Sequence, residues 1–168
     1  YELSYRLGID RMHAFLDKFG FGKKTGIDSI GEQSGLLPSR EWKKRTRNKI
    51  WFPGETLIAG IGQGYMLATP LQLAHATSIL ANRGTIMKPH LLKSVQYALS
   101  GKNTDNTPEN VRRIELKRQH NWQHTIKGMI EVVHGLRGTA RASGFGLPFK
   151  MAGKTGTAQV FGIGQDEE

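Results

Sequence analysis

The sequence predicts a mixed α and β domain, on three observations. Apolar residues recur at helical spacing in two stretches, Met12, Phe15, Leu16 and Phe19 near the start and Trp122, Ile126, Met129, Ile130 and Val133 further on. One helix start is spelled out by Thr69, Pro70 and Gln72: a hydroxyl cap, a proline at the first helical position and an amide to close a capping box. Strand-like runs at Thr85–Met87, Leu91–Tyr97 and Gly153–Phe161 lie between segments rich in glycine and polar residues. At 168 residues the chain is long enough for one domain with a core.

Taken in order, the opening reads as helix. Leu3 and Leu7 share a face, Asp10 is a candidate cap where a second apolar run begins, and Gly20 is the stop. Gly20–Asp28 is a glycine-rich connection and 31–38 a loop, followed by a basic run over Arg40–Lys49 that is in part helical. Trp51–Thr56 reads as a turn-rich aromatic loop, and Leu57–Tyr65 as apolar chain punctuated by glycine. The helix that starts at Pro70 is expected to bury Leu73, Ala76, Thr77 and Leu80 and to end at Gly84. Ser100–Asn110 is expected to be a polar surface loop. The helix through Trp122 stops at Gly135 and Gly138, with Thr139 a candidate cap for a short helix after it.

Composition narrows the chemistry less than the motifs do. Lys and Arg number 24 against 14 Asp and Glu, a net charge of +10, and mean hydropathy is -0.44. Such a balance suits an anionic partner (nucleic acid, an anionic membrane surface or an acidic substrate) without choosing among them. The absence of cysteine excludes disulfides, thiolate zinc sites and cysteine nucleophiles. No apolar run reaches the length of a membrane span. The basic run Arg40, Lys43, Lys44, Arg45, Arg47 and Lys49, with Trp42 and Trp51 nearby, has the composition of a nucleic-acid strip but reads first as a solvated face. His120 and His124, one helical turn apart, lack the glutamate of a zinc-protease pattern and read as a surface pair.

The most informative segment surrounds Lys154-Thr155-Gly156. Such a tripeptide on an edge strand suits acyl transfer. The ammonium supplies positive potential for a substrate carboxylate, the threonine hydroxyl can hydrogen-bond it, and the glycine lets a substrate backbone lie close. A backbone N–H just beyond can help hold an oxyanion. The tripeptide alone is weak evidence, because Lys24-Thr25-Gly26 is a second copy that reads as a turn with a solvated lysine. Neither copy is the tail of a phosphate-binding loop. Pro148 stands where the first glycine is required for one and Asp17 for the other.

Five blocks in order resemble the transpeptidase domain of class B penicillin-binding proteins. They are Gly60-Ile61-Gly62-Gln63-Gly64-Tyr65, Ala68-Thr69-Pro70-Leu71-Gln72-Leu73-Ala74, Ala81-Asn82-Arg83-Gly84, Arg137-Gly138-Thr139-Ala140 and Lys154-Thr155-Gly156-Thr157-Ala158-Gln159-Val160. Trp51-Phe52-Pro53-Gly54-Glu55-Thr56 and the Ala-Gln-Val after the last motif are similar to the elongation-type branch, penicillin-binding protein 2. The resemblance implies a serine β-lactamase/transpeptidase-like fold, an antiparallel sheet flanked by helices. It implies a D,D-transpeptidase that cross-links peptidoglycan stem peptides ending in D-Ala-D-Ala through an acyl-serine, and that β-lactams acylate. Lys154, Thr155 and Thr157 would bind the terminal carboxylate, Gly156 would give clearance and the Thr157 N–H would form half of the oxyanion hole. No metal or organic cofactor and no nucleic acid is implied. The expected setting is the periplasmic face of the bacterial inner membrane, beside membrane proteins of the elongation machinery that bind through regions outside this chain.

One departure from the pattern is plain. The family uses a Ser-x-x-Lys nucleophile and a Ser-x-Asn or Ser-x-Asp relay, and no serine here stands in either context. With Tyr1 in place of an initiating methionine, residues 1–168 are expected to be a partial transpeptidase domain, inactive alone and truncated at both ends, lacking those segments, the C-terminal strands, the last helix and any membrane anchor. A non-catalytic peptidoglycan-binding or scaffold piece, or a basic nucleic-acid-binding module, are the alternatives.

Overall fold

The computed structural model describes residues 1–107 and 110–159, and its chain divides into two compact units. Tyr1–Thr77 and Met87–Val111 form the first, together with 158–159; Ser78–Ile86 and Arg112–Thr157 form the second.

In the first unit α1 (Glu2–Leu16) bends at Gly8, whose φ of 72° and ψ of 160° are not helical. The break thus comes before Asp10, which is no cap: its carboxylate pairs with Arg40 at 3.0 Å. Leu3 and Leu7 are exposed, and the buried residues of α1 are Ser4 and Ile9. A 3-10 turn, Asp17–Phe19, ends at Gly20 in the left-handed region, the expected stop. Helix α2 (Arg40–Arg47) is capped by Ser39, whose Oγ accepts from the Trp42 N–H at 3.0 Å.

The stretch expected to be an aromatic loop contains a helix, α3 (Pro53–Ala59). Pro53 opens it, and the Glu55 carboxylate accepts from the Phe52 N–H at 2.8 Å, satisfying an otherwise unpaired donor. The same carboxylate pairs with Lys43, a residue of the basic run that proves to be buried. Its ammonium also lies 4.8 Å from the Phe52 ring centroid and 5.8 Å from that of Tyr65. A buried charge is tolerated only when so compensated. Lys44, Arg45 and Arg47 stay exposed, as expected of that run. Ile9, Trp51 and Ala59, with Tyr65 against them, make the core here. The Trp51 indole N–H donates to the Thr56 hydroxyl at 2.8 Å.

Helix α4 (Pro70–Ala81) starts as the sequence predicts. The Thr69 N–H donates to Gln72 Oε1 at 3.0 Å and the Gln72 N–H to Thr69 Oγ1 at 3.1 Å. Its buried face is not the expected one. Leu73 and Thr77 are exposed, and burial centres on Gln72 and Ile79. Gln72 is inside because its amide nitrogen donates to the carbonyls of Lys23 and Ser34, both at 2.7 Å. Gly84 ends the segment at φ 93°, where a side chain would also meet the Ile114 carbonyl and the Trp122 ring at 2.7 Å.

Strand β1 (Thr85–Met87) lies where expected. Strand β2 (Ser94–Gln96) occupies the middle of the second strand-like run and pairs antiparallel with β3 (Asn103–Asp105), Val95 opposite Thr104. The polar loop expected at 100–110 therefore contains a strand. Its sequence is polar because both strands of the ribbon are exposed. β4 (Asn110–Arg113) pairs with β1. Among the described residues the expected antiparallel sheet is present as these two two-stranded ribbons.

In the second unit α5 (His120–His134) buries Trp122 and Val133 on the predicted stripe and stops at Gly135. α6 (Arg141–Gly144) begins after Ala140, not Thr139, and has no side-chain cap. Gly153–Phe161, expected as a strand that carries Lys154, is irregular through Gln159, and Val160 and Phe161 lie outside the described residues. A strand exists by pairing with a neighbour, and 151–159 pair with none of the described strands.

Candidate active site

The Lys154-Thr155-Gly156-Thr157 segment belongs to the second unit and is placed by α5. Two main-chain donors fasten its approach. The Gly153 N–H donates to the Met129 carbonyl at 3.1 Å, and the Met151 N–H donates to His134 Nε2 at 2.9 Å. Lys154, Thr155, Gly156 and Thr157 are then all exposed. The Lys154 ammonium folds back onto the Thr155 carbonyl and lies 3.4 Å from its hydroxyl. The cation therefore rests against the residue expected to share a carboxylate with it. A side chain added at Gly156 would meet nothing within 4 Å, so packing does not require glycine there.

The Arg137-Gly138-Thr139-Ala140 block folds over the end of α5. The Gly135 N–H reaches back to the Glu131 carbonyl at 2.9 Å and the Ala140 N–H to the Val132 carbonyl at 3.0 Å. These bonds satisfy carbonyls that the helix end would leave unpaired. Gly138 approaches so closely that a Cβ would sit 2.4 Å from the Val132 carbonyl oxygen. Thr139 is thereby brought to the Lys154-Thr155-Gly156-Thr157 segment, its hydroxyl 3.4 Å from that of Thr155. An open cavity of about 300 Å³ adjoins this turn, lined by Glu131, Arg137 and Thr139 among others.

Lys154, Thr155, Gly156 and Thr157, singled out by the sequence, lie together on one exposed segment, and the structure adds Thr139 and His134 beside it. Thr139 stands in the Arg137-Gly138-Thr139-Ala140 block as well as at a candidate cap, so its block was the available signal. His134 had no signal, because its partner is a main-chain N–H.

The second Lys-Thr-Gly is the turn it was expected to be. Gly26 has φ 79°, and Lys24 is exposed. The turn is closed by Glu32, which accepts from the Thr25 N–H and hydroxyl, both at 2.6 Å, and from the Gly26 N–H at 3.1 Å. Burial pushes the Glu32 carboxyl up but is outweighed by the Thr25 and Gly26 hydrogen bonds and nearby Lys24, which hold it below its ordinary value. Asp28 is held low mainly by the Leu92 N–H, then by that of Leu91, at 2.9 and 2.6 Å.

His120 and His124 meet edge to face, with centroids 4.9 Å apart. No group of three potential metal ligands occurs among the described residues. No helix among them is long and apolar enough to cross a membrane.

Residues 1–168 match the family model described as the penicillin binding protein transpeptidase domain. The chain is 39% identical over 168 residues to the peptidoglycan D,D-transpeptidase MrdA of Haemophilus influenzae, covering 100% of this chain and 26% of that protein. Its structure is similar to that of Pseudomonas aeruginosa PBP2 in complex with WCK 5153, with a TM-score of 0.82 and 51% identity over 95% of this chain and 35% of that one. It is also similar to Helicobacter pylori PBP2 in its complex with MreC, with a TM-score of 0.78 and 34% identity over 95% of this chain and 28% of that one. The chain thus spans about a quarter of the length of the curated relative. The order of the five motif blocks and the full-length family match agree: the chain belongs to the penicillin-binding protein transpeptidase domain family.

Proposed function

We propose that residues 1–168 form part of a serine-type peptidoglycan D,D-transpeptidase of the elongation type, with the nucleophilic serine and its lysine on chain outside these residues. The observation that carries the reading is the exposed Lys154-Thr155-Gly156-Thr157 segment, tied to α5 through Met151 and Gly153 and flanked by Thr139.

In this reading the serine attacks the penultimate D-alanine carbonyl of a stem peptide. The terminal D-alanine leaves, and a neighbouring amine takes the acyl group. Lys154 releases the Thr155 carbonyl and pairs with the terminal carboxylate, which the Thr155 and Thr157 hydroxyls also hydrogen-bond. The Thr157 N–H donates to the oxyanion as it forms. Open space at Gly156 lets the substrate backbone lie along the segment. A β-lactam presents an electrophilic carbonyl and a carboxylate to the same groups. The chemistry requires no cofactor.

The enzyme would act at the periplasmic face of the inner membrane, anchored by a segment outside these residues. Exposed Lys44, Arg45 and Arg47 suit a surface near anionic lipid or wall polymer. A membrane protein of the elongation machinery is the expected partner, bound through surfaces outside this chain, and the relative solved with MreC supports that.

The test is labelling with a fluorescent penicillin. The full-length protein is expected to carry one adduct, on a serine outside residues 1–168, and residues 1–168 alone none. An adduct on any serine between Ser4 and Ser143, or no adduct on the full-length protein, refutes the assignment.

A further inference from the structure

We infer that His134 is a positioning residue for the carboxylate-binding segment, and that it holds the segment only while its imidazole is neutral. The inference rests on the transpeptidase reading and concerns a residue that none of the motif blocks contains.

The geometry is specific about protonation. His134 Nε2 lies 2.9 Å from the main-chain nitrogen of Met151. An amide N–H can only donate, so Nε2 must present its lone pair and the ring proton must be on Nδ1. Protonating Nε2 converts the acceptor into a donor facing a donor, and the contact turns from attraction to repulsion. Met151 lies three residues before Lys154, and the other described tie on this approach is the Gly153 N–H to the Met129 carbonyl. The imidazole therefore supplies one of the two main-chain fastenings described on the approach to Lys154 and Thr155. It sits on the last residue of α5, with Gly144 of α6 packed beside it; a Cβ on that glycine would lie 3.3 Å from His134 Cε1. The charged or titratable residues on the surrounding elements are His120, His124, Lys127 and Glu131 on α5, Arg137 in the turn, Arg141 on α6, and Lys150 and Lys154 on either side of Met151.

The consequence is a proton-sensitive substrate grip. When Nε2 is protonated, the Met151 N–H loses its acceptor, the approach to Lys154 loosens, and carboxylate-bearing ligands are held less well. Glutamine can mimic the neutral imidazole, since its amide oxygen accepts a hydrogen bond and does not titrate. Phenylalanine keeps a ring without an acceptor.

The experiment measures acylation of the full-length protein by a carboxylate-bearing β-lactam between about pH 5 and pH 8, the range in which imidazoles change charge. The wild type, His134→Gln and His134→Phe are compared, with Glu131, Arg137, Arg141 and Lys150 unchanged. Hydrogen exchange of the peptide containing Met151 is followed at matched pH. For His134→Gln, acylation near the alkaline end is expected to match the wild type. At the acid end the wild type is expected to fall about three- to ten-fold further than His134→Gln, the worth of one ordinary hydrogen bond. His134→Phe is expected to be depressed at both ends, with faster exchange at Met151. Parallel pH profiles for the wild type and His134→Gln, or identical Met151 exchange in the wild type and His134→Phe, overturn the inference. Absence of serine acylation at every pH in the wild type overturns the transpeptidase reading instead.

Discussion

Replacing Lys154 by glutamine removes a charge while keeping length and hydrogen-bonding capacity, and it separates carboxylate binding from acyl chemistry. The ammonium leans on the Thr155 carbonyl, with the Thr155 hydroxyl 3.4 Å away. Binding a carboxylate exchanges that internal contact for a charge-assisted one. Hydrogen bonds to charged groups contribute about 1.5–3 kcal/mol. At about 1.4 kcal/mol per factor of ten, the variant is expected to lose on the order of 10–100-fold in acylation efficiency toward a carboxylate-bearing β-lactam. Because Lys154 is exposed and gives up an existing partner, the lower half of that range is expected. The assay is the second-order acylation rate of the full-length protein with two ligands that differ only in the carboxylate, which makes a double-mutant cycle between protein and ligand. The ligand without the carboxylate is expected to lose far less. Equal losses for both would show that Lys154 acts on proton transfer or on placement of the segment, and the role assigned to it would be wrong.

Gly156→Ala is expected to leave the melting temperature of the full-length protein nearly unchanged, within about 0.5 kcal/mol, because a Cβ meets nothing within 4 Å; acylation nevertheless falls if a ligand lies against that face. Gly138→Ala is expected to cost about 1–3 kcal/mol, since its Cβ would sit 2.4 Å from the Val132 carbonyl, with a calorimetric melt as the check. Asp28 and Glu32 are held below their ordinary values of 3.8 and 4.5. The stability they contribute is fully present above those values and is lost as pH falls through the lower folded values. Urea midpoints of an Asp28→Asn, Glu32→Gln variant are therefore expected to fall less steeply below about pH 5 than those of the parent, and an unchanged slope would refute the linkage.

Local devices were legible. Thr69, Pro70 and Gln72 form their capping box within four residues, and Gly20 ends a helix through its own backbone angle. The helix at Pro53 uses the same proline device as α4, yet its aromatic and glycine neighbours disguised it. The errors about burial have a common physical origin. Lys43 belongs to a run whose charge reads as a solvated face, and Gln72 stands off the apolar stripe that α4 is expected to bury. Each is buried because partners distant in sequence satisfy it: two carbonyls 49 and 38 residues away for Gln72, and Glu55 with an aromatic surround for Lys43. The strand expected over Gly153–Phe161 is absent from its described part, 153–159, for a related reason, since alternation marks a segment able to pair and the neighbour that would pair with it decides the outcome.

The candidate site divides along the same line. Lys154, Thr155 and Thr157 stand out in the sequence because the role proposed for them resides in side-chain chemistry that a motif can carry. What holds them is a set of main-chain contacts: Gly153 on the Met129 carbonyl, Met151 on His134, and Ala140 on the Val132 carbonyl. Many sequences can supply a main-chain N–H, so such contacts leave little trace in a motif. The exception is the place where the main chain meets a titratable side chain. There the requirement returns to chemistry, because only an acceptor at position 134 can receive the Met151 N–H, and histidine is an acceptor in one of its two protonation states. A substitution series at His134 therefore asks whether the recognised motif works by itself or depends on how α5 presents it. If the motif sufficed, His134→Phe would leave carboxylate discrimination intact. The geometry at Met151 predicts that discrimination falls even though every motif residue is still present.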